Sequence, residues 1–181
     1  MTGRLVVLSG PSGVGKTTVG RALLQARRRR MVRSVSATTR PRRPGERDGR
    51  DYRFLSEAAF RALLGRKAFL EHARVHGRRY GTLRAPVSKA LRAGRDVLLV
   101  IDVQGAEQVR RAMPEALLLF LMPPSGAVLR RRLEGRGTEG PAALRLRLRT
   151  ARREMALRRR YDHVVVNDRL AHAVRQVLDL L

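Results

Sequence analysis

Cysteine and tryptophan are absent from this 181-residue chain, and isoleucine and asparagine occur once each, at Ile101 and Asn167. Without cysteine there is no disulfide and no thiolate-bound zinc, and a reducing, cytoplasmic setting fits. Long apolar runs are also missing. The longest, Leu117–Met122 and Val97–Ile101, fall far short of the ~20 apolar residues of a spanning helix, so no membrane partner is expected. One arginine precedes the first apolar run and Ser-Gly-Pro soon follows it, which does not read as a signal peptide. Acidic residues are scarce as well: 15 Asp and Glu against 40 Lys and Arg leave a net charge of +25. Only Lys16, Lys67 and Lys89 are lysines, so nearly all of that charge is arginine. The runs Ala26–Arg30 and Leu157–Arg160 contain no aromatic residue, and a stacking platform for single-stranded nucleic acid needs one. The excess reads as a compositional bias that suits anionic substrates, and nucleic acid is not expected as the main partner.

What the chain does contain is a short apolar strand, Leu5–Leu8, running into Gly10–Thr17 with the spacing G-x-x-x-x-G-K-T. Glycines let backbone N–H groups turn inward around an anion, and the helix that follows adds the positive end of its dipole. Gly10, Pro11, Ser12, Gly13, Val14, Gly15, Lys16, Thr17 and Thr18 are therefore the candidate cradle for a nucleoside triphosphate. Lys16 supplies a point charge to the β- and γ-phosphates, and the Thr17 hydroxyl a ligand for Mg²⁺.

The remaining pattern predicts an α/β fold. Leu5–Leu8, Val97–Ile101, Leu117–Met122 and Val164–Val166 are near-continuous apolar runs, as in parallel strands covered on both faces. Met31–Ser36 is a weaker fifth strand. Helical patterns fall at Thr17–Gln25, Ala85–Ala93, Ala106–Ala112, Ala127–Leu133 with Ser125 as cap, Ala142–Leu157 and the C-terminal segment. Such alternation predicts a P-loop type parallel sheet flanked by helices. Two regions break the rhythm. Residues 36–84 look like a small α+β insertion with a helix at Glu57–Gly65, and the Gly-rich Glu134–Pro141 separates two arginine-bearing helices, as a lid would.

A nucleotide cradle does not name the acceptor. A hydrolase must position water; a small-molecule kinase needs a second anion site. Ser34–Tyr52 offers the latter, with Arg40, Arg42 and Arg43 beside Ser36, Thr38, Thr39 and Tyr52. Guanidinium forks and hydroxyls in one short segment suit a phosphate monoester.

Six segments in succession, GPSGVGKT, SVSATTRPRRPGE with the following DY, FLEHARVHGRRYGT, IDVQG, RLEGRGTE and YDHVVVND, run from residue 5 to about 168. In this order they resemble the motifs of the guanylate kinase family. The resemblance implies one domain in three parts: a core of about 1–34, 85–133 and 155–181, a GMP-binding insertion of about 35–84, and a lid of about 134–154. It implies transfer of the γ-phosphoryl group of MgATP to GMP, and to dGMP, by a monomer or small homo-oligomer.

Site residues follow from matching positions. The resemblance places Ser36, Arg40, Arg43, Tyr52 and Tyr80 on the GMP phosphate, and Glu71 and Thr82, helped by Asp102, on guanine. A carboxylate at Glu71 can accept from both N1–H and the 2-amino group of guanine. Adenine has neither donor there and would leave the carboxylate unpaired, a discrimination of roughly 10⁴ or more. In the lid, Arg132, Arg136 and Arg147 match arginines that act on ATP phosphates and the transferring group, with Lys16 as fourth catalytic cation. Asn167 matches an adenine-contacting position.

The chain departs from the family at Val100, where an acidic residue is common two places before Asp102. Arg79 replaces a tyrosine and His72 a tryptophan. On the residues alone Asp102, at a strand end, also suits a Mg²⁺ partner. His72 and His76 stand four apart, but on a strand and with no third ligand, so no zinc site is expected. The alternatives are a related phosphokinase acting on a sugar bisphosphate, a non-catalytic protein-binding module of the same fold, and an arginine-driven nucleic-acid binder.

Overall fold

The computed structural model describes residues 3–75, 77–135 and 140–181. In chain order its elements are β1 (Leu5–Ser9), α1 (Lys16–Ala26), β2 (Met31–Arg33), β3 (Ala37–Thr38), β4 (Arg53–Phe54), α2 (Glu57–Gly65), β5 (Phe69–Val75) and β6 (Arg78–Leu83). There follow α3 (Arg84–Arg92), β7 (Asp96–Val100), α4 (Val103–Ala112), β8 (Leu117–Met122), α5 (Gly126–Glu134), α6 (Pro141–Ala156), a 3₁₀ turn at Leu157–Arg160, β9 (His163–Val166) and α7 (Leu170–Asp179).

The chain divides into two compact units. The first comprises Arg30–Leu99 and Gln104–Ala116 with the N-terminal residues through Leu5. Its β2 and β7 pair in parallel, Val32 opposite Val97. A four-stranded sheet in the order β4-β3-β6-β5 occupies the segment expected to be an insertion. There β3 and β4 run parallel while β3–β6 and β5–β6 are antiparallel. Apolar side chains from β3, α2 and β5 meet beneath it: Ala37, Phe60 and Phe69 are buried, with Leu55, Leu63, Leu64 and Leu83 packed around them. The Phe60 and Phe69 rings stack at 4.4 Å. Gly81 makes room for this packing, since a Cβ there would lie 2.7 Å from the Phe69 ring.

The second unit comprises Val6–Arg29, Val100–Val103 and Leu117–Leu181. Strands β1, β8 and β9 pair in parallel, Leu8 opposite Leu119 and Leu121 opposite Val165. Every residue of β1 is buried, so its continuous apolar run was legible as a covered strand. On β9 the expectation of two covered faces fails. Val164 and Val166 are 45% and 41% exposed while Val165 is buried, the alternation of an edge strand with one open face. Helix α7 packs on α1 and β9 through a stripe centred on Ala173 and Val177. Ser125 caps α5, its side chain accepting from the Val128 N–H at 3.2 Å. The apolar face expected from Ala142 onward is formed: Leu144, Leu148 and Met155 pack with buried Ala151 against Leu129 and Leu133 of α5.

Candidate active site

In the second unit, the turn after β1 carries three glycines at positive φ: Gly10 at 138°, Gly13 at 84° and Gly15 at 100°. Residues with a Cβ rarely adopt these angles, and space reinforces the requirement. A Cβ at Gly10 would lie 2.3 Å from the Leu121 carbonyl oxygen, and one at Gly15 2.5 Å from the Asn167 amide nitrogen. Helix α1 then begins at Lys16 with no side-chain cap and no acidic residue in its first turn, which leaves its N-terminal N–H groups for an anion. The Lys16 ammonium lies over the loop, donating to the Gly10 and Pro11 carbonyls at 2.6 and 3.0 Å. Thr17 and Thr18 are exposed at the helix start.

Two residues expected on ATP converge on one backbone atom of this loop. The buried Asn167 amide donates to the Val14 carbonyl at 2.8 Å. Arg132 donates to the same carbonyl at 3.3 Å and to the Asn167 carbonyl at 3.0 Å. Both side chains thus hold the cradle from behind. Arg147 is half-buried on α6. Arg136, expected in the lid, lies outside the described residues. Asp102 follows β7 and, with Lys16 and the Ser12 N–H, forms the electrostatic surroundings of Glu154 on α6. Burial pushes the Glu154 carboxyl above the usual carboxylate range, against the pull of Lys16.

In the first unit the antiparallel pairing of β5 with β6 sets Glu71 opposite Thr82. Both are buried, and the Thr82 hydroxyl donates to Glu71 Oε1 at 2.6 Å. The neighbouring strand backbone is held from outside. Gln108 of α4 accepts from the His72 N–H at 3.1 Å and donates to the His72 carbonyl at 2.7 Å, as a further strand would. Tyr80 lies two residues from Thr82 on the same face of β6. Its ring meets Tyr52 edge-on at 6.0 Å. The Arg40 guanidinium lies 5.3 Å from the Tyr52 ring centre and 5.7 Å from that of Phe54. Burial raises the Tyr52 phenol pKa, so this ring stays a neutral hydrogen-bonding partner. The Ser36 carbonyl accepts from Arg53 beside Tyr52 at 2.9 Å.

The structure thus brings together Arg40, Tyr52 and Tyr80, and separately Glu71 with Thr82. Arg43 is exposed on the loop that follows Arg40. Two hydroxyls read from sequence as anion ligands bond protein groups instead, Thr39 also reaching the Glu57 side chain. Buried Thr38 donates to the Arg79 carbonyl and accepts from the Arg40 N–H, and Thr39 accepts from the Arg79 N–H at 3.1 Å. Arg79, one of the departures, pairs with Glu57 at the start of α2. His76 lies outside the described residues, and no group of three acidic or histidine side chains suited to a metal occurs among those described.

Sequence reasoning missed Glu46, Gln108 and Glu154. Glu46 accepts from Arg40 and from the Arg43 N–H, and the acid inside an otherwise basic loop was the available signal. For Gln108 there was no distinguishing signal, since Gln104 and Glu107 on the same helix are polar as well. Glu154 stands out as the sole acidic residue of α6.

A family model described as guanylate kinase matches residues 2–181. The guanylate kinase of Leifsonia xyli subsp. xyli is 53% identical over 178 residues, covering 98% of this chain and 70% of the relative. That of Gloeobacter violaceus is 54% identical over 178 residues, 98% of this chain and 86% of the relative. That of Thermus thermophilus is 51% identical over 181 residues, 100% and 81% of the two chains. Among solved structures, guanylate kinase from Anaplasma phagocytophilum superposes with a TM-score of 0.82 at 35% identity, covering 99% of this chain and 84% of that one.

Proposed function

Because the chain belongs to the guanylate kinase family, we propose that its two anion-binding clusters hold the two substrates of one phosphoryl transfer. The enzyme phosphorylates GMP to GDP with ATP as donor. In our assignment Gly10–Thr18 cradles the ATP phosphates, Arg40, Arg43, Tyr52, Tyr80 and Ser36 take the GMP phosphate, and Glu71 with Thr82 reads guanine.

The buried Thr82–Glu71 pair carries the acceptor assignment. The pair sets a hydroxyl beside a carboxylate, the donor and acceptor that guanine O6 and its N1–H and 2-amino edge require. With AMP both would stay mispaired in a dry site, which is costly. These groups address the base, and dGMP carries the same base, so in this assignment dGMP is accepted too.

The chemistry asks little of acid–base groups. A GMP phosphate oxygen attacks the γ-phosphorus as the bond from that phosphorus to the β–γ bridging oxygen breaks, and ADP leaves. The nucleophile is already an oxyanion, so no strong general base is needed. Catalysis rests on alignment and on cations placed where charge spreads. Lys16 and the arginines at 132, 136 and 147 supply those cations in this reading. Arg132 acts through the Val14 carbonyl it holds as well as by its charge. The Thr17 hydroxyl, exposed in the first turn of α1, fits Mg²⁺, which takes few protein ligands and completes its shell with phosphate oxygens and water. A Mg²⁺ held by this hydroxyl would supply positive charge to offset that of the triphosphate. No helix of the described residues is long and apolar enough to cross a membrane, and we place the enzyme with the nucleotides of the cytoplasm.

ADP production from MgATP with GMP, dGMP, AMP, UMP and CMP tests this. Turnover with GMP and dGMP and little with AMP is expected. Equal rates with AMP would overturn the roles of Glu71 and Thr82.

A further inference from the structure

Arg40 is the guanidinium around which the acceptor phosphate cluster is built, and most of its freedom is removed by neighbours other than substrate. Its Cζ lies over the Tyr52 and Phe54 rings, 5.3 and 5.7 Å from their centres. The orientation of its terminal nitrogens is fixed by Glu46. Arg40 Nη1 donates to Glu46 Oε2 at 3.0 Å and Nη2 to Oε1 at 2.7 Å, while Nη1 also donates to the Pro41 carbonyl at 2.7 Å. The carboxylate therefore sits end-on, across the two terminal nitrogens. The side edge, Nε with the second Nη2 hydrogen, carries no carboxylate among the described residues. A guanidinium presents two such edges, each able to take an oxyanion in a two-pronged bond.

Glu46 also governs the second arginine. Its Oε2 accepts from the Arg43 N–H at 2.8 Å, and its own N–H donates to the Arg43 carbonyl at 3.1 Å. These bonds close a turn over residues 43–46, with Gly45 at φ 80°. The pair is half-enclosed, at 13% and 21% side-chain exposure for Arg40 and Glu46, so it is less weakened by solvent than a surface pair.

We propose that Glu46 is a positioning residue for the acceptor phosphate: it occupies the end edge of Arg40 and the Arg43 N–H, and so aims the side edge of Arg40 and the Arg43 side chain at the phosphate of the incoming nucleotide. This rests on the acceptor assignment above. A carboxylate on an arginine could instead act as a stand-in that the phosphate must displace. The geometry favours positioning, because displacement would break three hydrogen bonds from two residues and open the turn that carries Arg43.

The two roles predict opposite signs. GMP and guanosine, which lacks the phosphate, are titrated into the full chain and into the variants E46A, E46Q and R40A and the double variant R40A/E46A. E46A is expected to weaken GMP by about tenfold to a hundredfold, the range for losing a charged hydrogen-bond partner. Guanosine affinity stays within about twofold, since nothing on the base side changes. In turnover the loss falls on KM for GMP, with KM for ATP unchanged. The double variant loses less than the sum of the two single losses, because the part of the effect that runs through Arg40 is already gone and only the part through the Arg43 turn remains. E46Q retains one acceptor oxygen and falls between native and E46A; should E46A melt below the assay temperature, E46Q reads the same ratio.

Unchanged or tighter GMP binding would overturn the positioning role, and so would equal losses for GMP and guanosine. A native chain that does not prefer GMP to guanosine would overturn the acceptor assignment itself, before any variant is compared.

Discussion

Glu71 and Thr82 show how much of this site depends on the state of single side chains. The hydroxyl donates to the carboxylate at 2.6 Å and has one proton to give. Guanine therefore enters by taking that donor onto O6 and offering Glu71 its own N1–H and 2-amino group instead. Glu71→Ala should lower GMP affinity by about tenfold to a hundredfold and remove the preference over AMP, with ATP affinity unchanged in the same calorimetric titrations. Equal losses in both nucleotides would remove Glu71 from the base site. Glu154 gives a prediction with the opposite electrostatic sense. Its pKa is raised chiefly by burial, so the folded chain resists its ionisation more than the unfolded chain does, and the ionised group subtracts from stability above the ordinary carboxylate range. Glu154→Gln should therefore raise the melting temperature of the unliganded protein at about pH 7, where an ordinary glutamate is ionised. The gain should begin to close as pH falls through the raised pKa, where the folded state takes up its proton, and vanish below the ordinary carboxylate value, where both states hold it. A gain that persists at about pH 4, near the reference value for glutamate, would point to packing instead. Only part of this was legible in residue order. Glu71 stood out through its place in a motif, whereas Glu46 and Glu154 matter because folding sets them beside Arg40 and Lys16.

The elements themselves were mostly legible, and the reasons differ. Strands β1 and β8 are unbroken apolar runs, and α5 carries a serine cap ahead of an apolar stripe. By contrast β3 and β4 have two residues each and exist through pairing with β6 and with each other, which no local pattern encodes. Turns give a clean comparison within one chain. Helices α2 and α3 both end in paired bonds of the Schellman type: Lys67 and Ala68 donate to Leu64 and Leu63, and Gly94 and Arg95 donate to Leu91 and Ala90. The left-handed residue is glycine in one, at φ 72°, and lysine in the other, at φ 53°. Lys67→Gly should therefore stabilise the protein by about 1 kcal/mol in denaturant unfolding, the cost of a side chain in that conformation; a loss would mean that the lysine stem packs usefully. The P-loop makes the opposite demand. Gly15→Ala meets both φ 100° and the Asn167 amide, and should weaken ATP by about tenfold or more, the effect of one to three kcal/mol of strain. GMP binding should be untouched.

At the scale of the whole molecule the dominant feature is a charge of +25. Several of the carboxylates present are already engaged, for example Glu46 with Arg40, Glu57 with Arg79 and Glu107 with Arg111. Self-repulsion within this excess of positive charge should make moderate salt stabilising, because screening relieves that repulsion more than it weakens a few surface pairs. Melting temperature should rise between about 0.05 and 0.5 M NaCl as the Debye length falls from well over 10 Å to a few ångströms, while KM for GMP increases. A falling melting temperature would mean that the ion pairs dominate. The bond from Asn167 to the Val14 carbonyl spans 153 positions of sequence. During synthesis, then, the residues of the nucleotide loop emerge well before the group that braces them, so this brace on the loop closes only after Asn167 has been made.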